Sequence, residues 1–137
     1  MSTNHPIIEI SRGEVYPLHL LGLSLEDEQD RLICVVSLNC GRCLSLLNQL
    51  TDLEENSQFK FLLVTNGTEE ENAIIKEHLG VTFILISFAG RNFSDIGISS
   101  TPQAYLINLH GIVRGRKSIK QVEDINLWME EESDGDN

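Results

Sequence analysis

The chain has 137 residues, 41% of them apolar, with a net charge of −11. That length supplies one domain with a core of its own but not two, so residues 1–137 are expected to form a single unit. The acidic balance argues against nucleic acid as a partner, and no apolar run is long enough to span a bilayer as a helix.

The first residues, Met1 to Pro6, are polar and are expected to be loose, within an N-terminal extension covering residues 1–13. Met1 to Ile10 carries no positive segment followed by an apolar one, so no secretory leader is visible. The expected compartment is therefore the cytoplasm, or an extracytoplasmic one if a leader or anchor had been removed. Glu14 to Leu20 alternates weakly and holds Pro17, which suits an edge strand. Leu32 to Leu38 is apolar on both faces, as in the middle of a covered sheet. A helix is expected from Gly41 to Glu55, ended by Asn56 and Ser57. Phe59 to Thr65 is a second apolar strand, and its place after a helix implies a parallel βαβ unit with a right-handed crossover.

Thr68 with Glu71 three residues on reads as a capping box. The helix it opens, Glu69 to Leu79, is expected to turn Ile74, Ile75, His78 and Leu79 inward and to stop at Gly80. Val81 to Ser87 reads as a third strand. Ala89 to Ser100 is rich in Gly, Ser and Asn and reads as a short helix or irregular segment. Ala104 to Leu109, the turn His110-Gly111 and Ile112 to Arg114 read as a β-hairpin. Ile119 to Met129 closes the chain as a helix. Glu130, Glu131, Glu132, Asp134 and Asp136 then form an acidic tail over residues 130–137, expected to be solvated and frayed.

The informative stretch is Val35 to Leu50. A buried strand ends, Cys40-Gly41-Arg42-Cys43 follows, and Leu44, Leu47 and Leu50 recur at helical spacing. The first cysteine then sits where unsatisfied backbone N–H groups and the positive end of the helix converge, which favours thiolate over thiol. The second lies one turn further in, within reach of a disulfide with the first. This context favours dithiol exchange. A zinc site would need four ligands, and no second cysteine or histidine pair is present; a structural disulfide is the other reading. Arg42 either favours the Cys40 thiolate by its charge or simply points to solvent. Cys34 reads as a small buried residue, with a third thiol beneath the pair as its alternative.

The Cys-x-x-Cys at a helix start, followed some sixty residues later by Thr101-Pro102 and a hairpin, resembles the thioredoxin superfamily, closest to its TlpA/ResA-type branch. The resemblance covers roughly Glu14 to Met129. It implies an α/β thioredoxin fold: a central mixed sheet, parallel βαβ plus a C-terminal antiparallel hairpin, flanked by helices. It matches Cys40 to the nucleophilic and Cys43 to the resolving cysteine; Gly41 and Arg42, between them, are the candidates for tuning the pair's pKa. Pro102 matches the superfamily's cis proline, and Thr101 the residue whose backbone faces substrate. The implied activity is thiol–disulfide exchange with protein dithiols and disulfides, fed by an external electron donor or acceptor, with no cofactor and no metal. The alternative is a thioredoxin-like module that binds protein in the same groove without catalysis. The sequence departs from the family at Asn39, where a bulky residue is usual. It departs again at Gly41-Arg42, in place of Gly-Pro, and at Cys34, where thioredoxin carries a buried Asp.

Overall fold

The computed structural model describes residues 9–134; the expectations for Met1 to Pro6 and for Asp136 lie outside them. Five strands form one sheet: β1 (Asp30–Val36), β2 (Phe59–Thr65), β3 (Ile84–Ser87), β4 (Gln103–Ile107) and β5 (Val113–Ser118), in the order β3-β2-β1-β4-β5. β1, β2 and β3 run parallel; β4 and β5 pair antiparallel to their neighbours. Three helices complete it: α1 (Gly41–Gln49), α2 (Glu69–Leu79) and α3 (Val122–Asp134).

β1 is central, and its alternation separates two cores. Leu32, Cys34 and Val36 face Cys43, Leu46 and Leu47 of α1 and Ile125 and Trp128 of α3. Ile33 and Val35 face Tyr16, Leu18, Phe88, Ile96 and Tyr105. Two successive crossovers of the same hand, stepping the same way along the sheet, set α1 and α2 side by side on one face. The opposite face is covered by 3-10 turns at Leu18–Leu21 and Phe93–Ile96. Their buried polar atoms are met locally: the Tyr16 hydroxyl donates to the Ile96 carbonyl at 2.7 Å and the Tyr105 hydroxyl to that of Gly97 at 2.8 Å.

Several elements depart from the sequence reading. Leu18–Leu21 is a 3-10 turn, not a strand, and of that region only Val15 makes a β-bridge, to Ile112. α1 ends at Gln49 and passes into a 3-10 turn at Leu50–Asp52. α2 keeps its capping box and its left-handed Gly80, but Ile74 is 67% exposed and His78 is exposed, while Asn72 is buried. α2 packs on the rim of the sheet, so only a narrow stripe of it is covered. Residues 9–13 are bound to the body: Gly13 N–H donates to the Val113 carbonyl at 2.8 Å and Ile10 N–H to the Tyr105 hydroxyl at 3.0 Å. The acidic run Glu130–Glu132 continues α3 instead of fraying, because cations on β5 face it. Arg114 holds Glu132 at 2.7 Å as well as Asp30, and Lys117 lies 3.8 Å from Glu131.

Arg31 on β1 is 1% exposed. Its guanidinium donates to the carbonyls of Ser24 and Leu25 at 2.6 and 2.5 Å, with Asp27 at 3.8 Å, and so fastens the loop before β1 onto the sheet. Arg31→Ala strands two carbonyls and leaves a void. It is expected to lower the unfolding free energy by about 3 kcal/mol, read as a shift in the urea midpoint.

Candidate active site

Cys40 is the N-cap of α1. Its extended backbone (φ −112°, ψ 124°) brings its sulfur over the first turn, where it accepts the N–H of Cys43 at 3.4 Å. A thiolate suits this place, because the first N–H groups of a helix have no partner within it. The Cys40 thiol also faces the carbonyl oxygen of Thr101, just before β4, at 3.7 Å. The Thr101–Pro102 peptide bond is cis, Thr101 is half-buried and Pro102 is buried. The structure thus brings Cys40, Cys43, Thr101 and Pro102 together. All three cysteines are free thiols, Cys40 half-buried and Cys43 and Cys34 buried.

The two thiols of the pair are pushed in opposite directions. Cys40 is held below the ordinary thiol range by hydrogen bonds from the Cys43 thiol, then from the backbone N–H of Cys43, with that of Arg42 adding to them. Cys43 is pushed up, first by burial, although the Ser37 N–H, 3.3 Å from its sulfur, works the other way. One negative charge shared by the pair therefore rests on Cys40, the outer sulfur. Cys34 lies in the core beneath Cys43; burial, with the neighbouring Cys43 adding to it, pushes its thiol up to about 12.

The Arg42 side chain is exposed, and its backbone N–H helps hold the Cys40 thiol low. Gly41 is likewise exposed, with open space where a side chain would stand. Two residues that the sequence did not single out build the loop before Cys40. Asn66, just after β2, accepts the Leu38 N–H at 2.8 Å and donates to the Ser37 hydroxyl at 3.2 Å. The Ser37 carbonyl in turn accepts the Cys40 N–H at 3.2 Å. The sequence signal was the Asn66-Gly67 pair, which reads as a turn; that it reaches across to the neighbouring strand end is a matter of the parallel pairing of β1 and β2.

No family model matches the chain, and no curated protein matches it. Solved structures do. A thiol:disulfide interchange protein from Bacteroides sp. superposes with a TM-score of 0.68 at 13% identity, covering 93% of each chain. A thioredoxin-like protein from Parabacteroides distasonis gives 0.67 at 9% identity, covering 89% of this chain and 96% of the other. The chain has the thioredoxin fold. The thioredoxin domain of a thiol-disulfide oxidoreductase from Bacteroides vulgatus gives 0.61 at 14% identity, covering 90% of this chain and 98% of that one. At such identities the likeness is one of fold, so the chemistry has to be argued from the thiols themselves.

Two outcomes follow from the thioredoxin-fold geometry. At neutral pH, iodoacetamide should modify Cys40 faster than Cys43 or Cys34, with a pH midpoint below that of an ordinary thiol. Site-resolved mass spectrometry reads this, and the selectivity should vanish in urea. Thiolate is lost as pH falls through the lowered Cys40 value, so reactivity falls on the acid side and is saturated above it. Secondly, Arg42→Gln should leave that midpoint in place, whereas Arg42→Pro, which removes the N–H, should raise it.

Proposed function

We propose that the protein is a thiol–disulfide oxidoreductase acting on protein disulfides. The observation that carries this is the polarised pair: an accessible sulfur on the N-terminus of α1, favoured as thiolate, with a buried and protonated thiol one turn behind it. Cys40 thiolate attacks a substrate disulfide, forming a Cys40–substrate bond; the displaced substrate sulfur leaves as thiolate and takes a proton. Cys43 then loses its proton and attacks the Cys40 sulfur. The second substrate sulfur departs, two electrons have passed to the substrate, and Cys40–Cys43 remains as a disulfide. An external dithiol returns the pair to its reduced form, and the same steps reversed oxidise a substrate dithiol. The protein itself needs no bound cofactor for this.

Thr101 and Pro102 are the proposed docking edge. An extended substrate segment would pair with the Thr101 backbone as an added strand. Pro102 presents no N–H to the sulfurs. The compartment sets the direction, since glutathione and thioredoxin systems keep cytosolic pairs reduced and oxidising compartments do not.

One observation favours a second reading, a partner-holding module. The groups that set the protonation of Cys43 are Thr101, Ser37 and Cys40, with no carboxylate or imidazole among them. With no such base beside Cys43 among the described residues, its proton would leave slowly and a mixed disulfide on Cys40 would be long-lived. The test is a Cys43→Ser variant exposed to a disulfide-containing protein such as insulin. A covalent adduct on Cys40 is expected, together with catalysed reduction by the parent chain in dithiothreitol. Adducts without turnover by the parent chain would favour the module. No adduct, with a Cys40→Ser variant as active as the parent, would remove both readings.

A further inference from the structure

The two edges of the sheet are treated differently. β5 carries Arg114, Arg116 and Lys117, which pair with Glu132, Glu9 and Glu131. Charged side chains engaged in this way are the usual protection of a sheet edge. β3 has none of this. From Val81 to Phe88 there is no charged residue and no proline. Ile84 is 49% exposed, and Leu85, Ile86 and Ser87 are only partly covered. β3 pairs with β2 alone, so its outward N–H and C=O groups have no partner among the described residues. A cleft of about 590 Å³ runs along this edge, walled by α2 on one face of the sheet and by Leu20–Gly22 and Arg91 on the other.

The α2 wall of that cleft is self-complementary. Glu69, Ala73 and Lys76 line it. Their spacing of four and three residues puts them in one stripe along the helix. Neither Glu69 nor Lys76 has an ionic partner among the described residues. A two-fold axis normal to the sheet, passing level with Ala73, would set Glu69 of one copy against Lys76 of the other, twice. The small side chain of Ala73 lets the two helices approach at the axis. The same axis lays the two β3 strands antiparallel, which is what two-fold symmetry demands of identical edges. With that axis at Leu85, Ile84 faces Ile86 of the other copy on one side of the sheet and the two Leu85 side chains meet on the other.

We propose that two copies of this chain join through their β3 edges into one continuous sheet, with the Glu69–Ala73–Lys76 stripes of the two α2 helices packed across the axis. The partner is a second copy because a single symmetry operation satisfies both the strand edge and the charge pattern. The arrangement does not depend on the redox reading. Antiparallel pairing turns the C-terminal ends of the two β1 strands to opposite ends of the joint sheet, so each Cys40 remains open.

The test uses the full chain, reduced throughout so that no intermolecular disulfide contributes. Sedimentation velocity and light scattering from micromolar to millimolar concentration should show a species of twice the chain mass. Lys76→Glu, which sets like charges together, should weaken the dimer at least about tenfold in Kd. The double variant Glu69→Lys with Lys76→Glu should restore it, since the swapped stripe is again self-complementary. Ile84→Lys, a charge on the edge itself, should give a monomer with unchanged circular dichroism. A monomer at every concentration would overturn the proposal, as would a dimer indifferent to all three variants. A chain that dimerises only after removal of residues 1–8 would also overturn it, because the edge would then belong to the chain's own N-terminus.

Discussion

The structure depends on one meeting: the first turn of α1, with N–H groups that nothing inside the helix can satisfy, arrives at the buried end of the central strand. The Cys40 sulfur fills the gap, accepting the Cys43 N–H as a Ser or Asp N-cap would. A thiolate caps better than a thiol, because it accepts with full charge. The requirement for a capped helix and the requirement for a reactive sulfur are therefore the same requirement. Everything else near the site holds that meeting in place: Asn66 fixes the loop, Ser37 holds Cys40 and steadies Cys43, and β4 brings up Thr101.

What lies beneath the pair is apolar. Cys34, Leu46 and Ala104 share the core with Cys43, so the inner sulfur would ionise among apolar neighbours. That depth is what separates the two thiols in protonation. It also explains why a cysteine can stand at position 34 without competing with Cys40. Burial suppresses its thiolate by the same desolvation that acts on Cys43.

Charge is distributed by the same logic of need. The chain is strongly acidic, yet its buried cation, Arg31, holds a loop, and the cations of β5 gather the carboxylates of α3 and of Glu9. Arg42, by contrast, is exposed, and the charge of a guanidinium in water is largely screened.

The sequence by itself determined the strand and helix order from β1 onward, the capping box at Thr68, the stop at Gly80 and the candidacy of Cys40 and Cys43. Each of these is written in local chemistry: apolar alternation, a hydroxyl three residues before a carboxylate, a glycine able to adopt φ of 67°, a cysteine pair at a helix start. Only the tertiary structure decided that Ile74 faces out and Asn72 in, that Glu130–Glu132 continue a helix, and that Asn66 and Cys34 belong to the site. Those outcomes depend on which surface a neighbouring element covers and which distant cation comes near. The physical reason is that hydrogen-bond caps act over three or four residues, whereas burial and charge pairing are settled by contacts 18 to 95 positions apart along the chain.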